Sequence, residues 1–331
     1  MIETAWVPAG RQGFAVLIAV LGAVLCPRAW PNDSPPISAT SGLPRNRALF
    51  AYDPASIRYD AAIEDKTDDA VVWRVRYTSP VQTEWQQNNT VWATYYQPRK
   101  TGAKPVPAVV ALDVSGSRNA RFCRRLIRLL LSYGIAGAYV ELPYHMHRQP
   151  AGQQPYDLFL RPDTSHLVEV MRQSVMDVRC MVDWLAQRPE IDARRIAIAG
   201  FSLGATVGAL TYVVDTRLTA AALVGGGGSP ADMIWYSQIT EHVREDLEKQ
   251  GVGRAALAVI MNPVDPCAYA TPERGHRVLL INARHDLVVP ARCTDALIRA
   301  LGKPKVIWLN SGHFSMFAHP DKLNREMLNW F

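Results

Sequence analysis

The sequence predicts an α/β protein: a doubly wound, mostly parallel sheet with helices on both faces, preceded by antiparallel N-terminal strands. Three observations carry that expectation. From about residue 106 onward, short apolar runs alternate with amphipathic helical patterns, as in strands joined by helical crossovers. Ahead of them, two segments of β-branched and aromatic residues in near alternation flank "QQNN", the pattern of an antiparallel pair. Parallel crossovers are right-handed almost without exception, so helices wound in both directions cover both faces.

The elements follow in order. Ala70–Ser79 and Thr90–Pro98 are the antiparallel strands, and Val106–Leu112 ("VPAVVAL") is the first short buried one. Arg118–Gly134 reads as a helix closed by glycine, and "IAGAYVELP" as the next strand. A long helix keeps Leu167, Met171, Val175, Val178, Val182 and Leu185 on one face and stops at Pro189. Then come strand "RIAIAG", a helix from Ser202, strand "TAAALVGG", an insertion over 226–275, and strand "RVLLINA". A helix opened by Pro290, strand "KVIWLN" and a terminal helix from about Met316 to Phe331 complete the chain.

In the N-terminal part, Gly13–Cys26 is an apolar run preceded by Arg11 and followed by "PRAWPNDSPP". It is shorter than the ~18–20 residues a spanning helix needs and fits the core of an export signal. Residues 1–29 are therefore expected to be a signal peptide, with an uncleaved N-terminal anchor or a buried helix as the alternatives. The expected location is periplasmic or secreted. Residues 30–65, rich in Pro, Ser, Asn and Asp, read as an extended linker or wrapping segment, and 66–331 as the folded domain with the 226–275 insertion near its active site.

Composition narrows the function classes. The 331 residues are 48% hydrophobic and 20% charged, and the net +6 comes from scattered arginines. No basic stripe interleaved with aromatics accompanies that charge, so no nucleic-acid partner is expected. Beyond the N-terminal segment stand Cys123, Cys180, Cys267 and Cys293. The first two read as buried thiols, and the last two flank one predicted strand, where a bridge is one alternative. No CxxC or Cys/His cluster suggests a metal, and "HMH" at His145 and His147 lacks a third ligand. No cofactor is expected.

In an open α/β sheet the reactive groups gather beyond the carboxyl ends of the strands. Ser202 lies there, in "GFSLG", a G-x-S-x-G match between a predicted strand and a predicted helix. At Gly200 and Gly204 a side chain would collide with the sharp turn. A serine hydroxyl needs a base to take its proton and a carboxylate to orient that base. Asp286 follows "LLINARH" and His313 follows "VIWLNSG", each just past an apolar strand. The chain order Ser202, Asp286, His313 belongs to one hydrolase fold and to neither other common serine triad. Asp265 is the rival acid, and His276, His285 and His319 are the rival bases.

Together "VVALDVSGS", "GIAGAYVELPYHMHR", "RRIAIAGFSLGA", "RVLLINARHDLVVP" and "NSGHFSMF" resemble the α/β-hydrolase superfamily, and within it the dienelactone hydrolase-like and prolyl oligopeptidase-like serine esterases. The resemblance covers the chain from about residue 90. It implies acyl transfer to water, with Ser202 as nucleophile, His313 as base and Asp286 as orienter, acting on a small-molecule ester. True dienelactone hydrolases carry cysteine at the elbow, where this chain has serine. For the oxyanion hole the candidates are the backbone amides of Leu203 and of Ser115 or Val114. Asp113 beside that hole would oppose catalysis unless paired, for which Arg118 and Arg148 are the candidates. Tyr144 and Trp235 are candidate substrate contacts, and the insertion, with a flexible "GGGG" and an amphipathic helix through Met233, Ile234, Ile239, Val243 and Leu247, is either a pocket roof or an ordinary crossover. A serine peptidase and a silent binding protein are the competing readings.

Overall fold

The computed structural model describes residues 45–99 and 104–331. The expected export signal or anchor, and the first part of the expected linker, lie outside the described residues. Among the described residues one nine-stranded sheet forms from β1 (Tyr59–Lys66), β2 (Ala70–Thr78), β3 (Thr90–Pro98), β4 (Val106–Leu112), β5 (Ala136–Val140), β6 (Ile191–Phe201), β7 (Leu218–Val224), β8 (Val278–Ala283) and β9 (Lys305–Leu309). Their order across the sheet is β1-β2-β3-β5-β4-β6-β7-β8-β9. The pairs β1–β2, β2–β3 and β3–β5 are antiparallel, and every pair from β5 to β9 is parallel.

Eleven helices accompany these strands: α1 (Arg121–Leu131), α2 (Pro155–Phe159), α3 (Thr164–Ala186), α4 (Leu203–Val214), α5 (Pro230–Tyr236), α6 (Glu241–Lys249), α7 (Arg254–Met261), α8 (Pro272–Gly275), α9 (Ala291–Leu301), α10 (His313–Met316) and α11 (Pro320–Trp330). The period-two alternation of buried strands divides the core. Ala108, Val110 and Leu112 of β4 pack with Val178 of α3 and Val207 of α4 on one face. Val109 and Ala111 pack with Leu126 of α1 and Met327 of α11 on the other. Since both faces are covered, the parallel strands carry continuous apolar runs.

The structure departs from the sequence expectations in three places. The sheet starts earlier, because Tyr59–Lys66 pairs with β2 as an edge strand although nearly all of it is exposed. Tyr59 donates to the Cys180 carbonyl at 2.8 Å and Tyr52 to Asp183 at 2.6 Å, fastening this segment to α3. The terminal helix is split, α10 beginning at His313 and Pro320 occupying the first turn of α11, the helical position that needs no N–H donor. The insertion is also broken, α5 ending at Ser237, whose hydroxyl caps the next turn. Its glycine run is packed rather than flexible: a Cβ on Gly228 would lie 2.2 Å from Cys267 Sγ.

Candidate active site

Ser202 sits between β6 and α4 with φ 53° and ψ −114°, a left-sided backbone conformation that side chains adopt only when the surroundings enforce it. The enforcement comes from two close approaches. A Cβ on Gly200 would stand 2.2 Å from the Gly204 carbonyl, and one on Gly204 would stand 2.3 Å from the Leu112 carbonyl. The Ser202 amide donates to Val224 O at 2.8 Å, and Gly204 N donates to Asp113 O at 3.1 Å. The hydroxyl is thereby carried above the carboxyl edge of the sheet, at the N-terminus of α4.

Ser202 Oγ lies 2.8 Å from His313 Nε2, and His313 Nδ1 lies 2.7 Å from Asp286 Oδ2. Because Nδ1 faces a carboxylate, it carries the proton, which leaves Nε2 to accept from the serine hydroxyl. Asp286 is fixed in turn: its Oδ1 accepts from Val288 N at 2.9 Å and Val289 N at 2.7 Å. The loops after β8 and β9 are tied together by Arg284 N to Leu309 O at 2.9 Å and His285 N to Ser311 O at 3.0 Å. His313 and Asp286 are both buried, and Phe317 and Phe314 place ring edges against the imidazole. The rivals are occupied elsewhere. Asp265 caps a turn by accepting from Cys267 N at 2.8 Å, His285 meets Asn310, His276 meets Arg277, and His319 precedes α11.

Leu203 and Ser115 both border the cavity that opens at Ser202. The Val114 amide is taken by Asp113 Oδ1 at 2.8 Å, which removes it as an alternative donor. Asp113 is not paired with Arg118 or Arg148. Its second oxygen accepts from Cys123 N at 3.3 Å in the first turn of α1, where Ala120 offers no capping side chain. The carboxylate therefore serves as a remote cap, and burial pushes its pKa upward. Arg148 instead faces Asp177 at 2.8 Å, both side chains fully buried.

Neither expected substrate contact reaches the cavity. Tyr144 is buried, with φ 66°; its amide donates to Asn88 at 3.0 Å and its ring lies beside His166. Trp235 packs against the main core, while Met233 and Ile234 of the same helix line the cavity. A helix turns about 100° per residue, which carries Trp235, one step past Ile234, off the cavity wall and onto the core.

Two residues gain a positional role that the sequence reading did not assign. His145 is 1% exposed; its Nδ1 lies 2.8 Å from Pro143 O, and its Nε2 accepts the Gly116 amide at 3.0 Å. It thus braces the loop that carries Ser115, and burial holds its pKa down at about 4. Asn282 accepts from Gly225 N at 3.0 Å and donates to Gly226 O at 2.9 Å, fixing the turn beside His313. Their only sequence signals are a histidine at a strand end and an amide inside the apolar run "LLINA". His147, the other member of H-x-H, pairs with Glu141 at 2.7 Å and stacks on Trp92. Among the described residues no cluster suits a metal ion. Cys267 and Cys293 are free thiols, with burial pushing each pKa up to about 12.

Known structures superpose on this arrangement. Acetyl xylan esterase 1 from Thermoanaerobacterium sp. JW/SL YS485 does so with a TM-score of 0.64 at 15% identity, over 86% of this chain and 92% of that one. The acetyl xylan esterase from Paenibacillus sp. R4 gives 0.60 at 17% identity, over 85% and 92%. The fold is that of the α/β-hydrolases. Residues 169–331 of this chain match the prolyl oligopeptidase family. The acylaminoacyl peptidase of Pyrococcus horikoshii superposes with a TM-score of 0.57 at 17% identity, over 78% of this chain but 40% of that longer protein. An uncharacterized protein of Bacillus subtilis (strain 168), YdjC, is 29% identical over 97 residues, which are 29% of this chain and 84% of that protein.

Proposed function

We propose that this α/β-hydrolase is a serine hydrolase that cleaves carboxylic esters through an acyl-enzyme. The observation that carries the reading is the continuous relay from Ser202 Oγ to His313 Nε2 at 2.8 Å and from His313 Nδ1 to Asp286 at 2.7 Å. His313 takes the hydroxyl proton as Oγ attacks the carbonyl carbon, and Asp286 steadies the imidazolium that results. The oxyanion is stabilised by the Leu203 amide, at the positive end of α4, and by the Ser115 amide. His313 then gives its proton to the leaving oxygen, and the alcohol departs. Water, deprotonated by the same imidazole, attacks the acyl-serine, and the imidazolium returns that proton to Ser202 Oγ as the acid leaves.

An ester is favoured over a peptide by the cavity wall, which includes no charged side chain among the described residues. A peptide would find few partners for its amide groups there, since the wall's polar side chains are hydroxyls and those of Tyr156, Ser237 and Thr240 already bond backbone groups. Hydrolysis of a matched ester and amide tests the choice. The expected result is ester cleavage that disappears in Ser202→Ala, with the amide turned over far more slowly; amide cleavage at a comparable rate would point to a peptidase. The apolar run Gly13–Cys26 supports export of the enzyme, which fractionation of cells expressing the full chain checks.

A further inference from the structure

We infer that the acyl group this enzyme accepts is an unbranched or lightly branched apolar chain of roughly four to six carbons rather than acetyl, an inference that rests on the ester hydrolase reading above.

The cavity at Ser202 is about 100 Å³ in volume, and an apolar cavity of about 150 Å³ takes up a benzene ring. Besides Ser202 its wall takes in Met233 and Ile234 of α5, Val170 and Met171 of α3 and Phe159 of α2. These side chains have no polar group to offer, so hydrocarbon fills the space beside them without a desolvation cost. Acetyl, with a single carbon beyond its carbonyl, would leave most of a cavity of this volume unfilled.

Which half of the ester enters is decided by the imidazole. His313 must lie beside the leaving oxygen to protonate it, so the alcohol departs on the His313 side. The cavity wall takes in Ser115 and Leu203, the proposed oxyanion donors, with Thr206; the acid loop reaches it through Val288 and Val289, but neither His313 nor Asp286 lines it. The group that extends into it is therefore the acyl chain. Apolar side chains are also exposed near the triad residues: Ile239, Leu287 and Phe314 at 37%, 63% and 75%. Ile239 lines the cavity, Leu287 sits between Asp286 and Val288, and Phe314 touches the His313 ring. Thr206 Oγ1 and Met233 Sδ lie 4.0 Å apart, in contact within the cavity wall, so a bulkier side chain at 233 takes up space in the cavity.

The experiment is a kcat/KM series on p-nitrophenyl esters from acetate to decanoate, with Ser202→Ala as background. Each methylene that gains burial should raise kcat/KM about fourfold, so the profile climbs from acetate to about hexanoate and then levels or falls. In Met233→Trp the hexanoate-to-acetate ratio should drop by about tenfold or more. Ser202-dependent turnover that is flat with chain length, or fastest on acetate, overturns the acyl inference and leaves ester hydrolysis standing. An unchanged ratio in folded Met233→Trp overturns the assigned cavity. Absence of turnover on every ester, with Ser202 inert to a fluorophosphonate, overturns the ester hydrolase reading itself. The wild-type series decides the matter even if the tryptophan variant does not fold.

Discussion

Two loops at the carboxyl edge of the sheet each bury a histidine whose ring nitrogens are both hydrogen-bonded, yet the partners are of opposite kinds. In the loop after β9, His313 spans a carboxylate and a hydroxyl, Asp286 at 2.7 Å and Ser202 at 2.8 Å. In the loop after β5, His145 spans a carbonyl and an amide, Pro143 O at 2.8 Å and Gly116 N at 3.0 Å. Both rings hold the proton on Nδ1. The partner decides what happens next. A carboxylate opposite Nδ1 is the partner that the proposed base role of His313 requires; a neutral carbonyl in an apolar surrounding stabilises an imidazolium far less, and burial keeps the His145 pKa near about 4. A buried histidine is thus a base or a strut according to the charge opposite its Nδ1.

The contrast can be broken in decreasing order of effect. His313→Ala should lower kcat by about 10⁴–10⁶ with the fold intact, since the three residues act as a unit; a loss below tenfold, measured on the hexanoate ester, would place the base elsewhere. Asp286→Asn removes the charge while keeping the shape, and kcat should fall by about 10³–10⁴. A rise in KM with kcat intact would instead mean that the carboxylate only shapes the loop.

On the other loop, His145→Ala should cost about 10–100-fold in kcat with little change in KM, because it frees Gly116 and loosens the Ser115 amide felt only by the oxyanion. His145→Gln, which keeps an acceptor near the Nε2 position, should restore most of it; equal losses in both variants would deny the strut role. The smallest effect is thermodynamic. The folded pKa of His145 is about 4 against about 6.5 in the unfolded chain, so between these values the unfolded state binds more protons. His145 therefore makes the protein lose stability as pH falls from about 6.5 to about 4, by up to about 3 kcal/mol. Denaturant melts of wild type and His145→Gln should converge toward the lower end of that window, and parallel pH profiles would refute the assignment.

How far the molecule could be read from its sequence follows from where the information lies. The buried parallel strands are legible because runs such as "VPAVVAL" are apolar throughout, and a strand end marks where a reacting side chain must stand. That principle singles out Ser202, Asp286 and His313 and leaves their approach to the coordinates. Tyr59–Lys66 is illegible because "YDAAIEDK" is an exposed edge strand, with no buried face to impose alternation. Asp113 looked like an uncompensated charge because its partners are backbone amides, which no sequence pattern advertises. Tyr144 and Trp235 stand in the right neighbourhood but on the wrong side of a turn and of a helix. Direction, unlike position, depends on backbone angles such as the φ of 66° at Tyr144.

The central claim is that Ser202 is an activated nucleophile, and labelling with a fluorophosphonate followed by peptide mapping tests it most directly, because such a probe reacts only where base and oxyanion donors cooperate. The account predicts one adduct per chain on Ser202, absent in Ser202→Ala and strongly slowed in Asp286→Asn. Folded protein that stays unlabelled, or that carries the adduct on another residue, would contradict it.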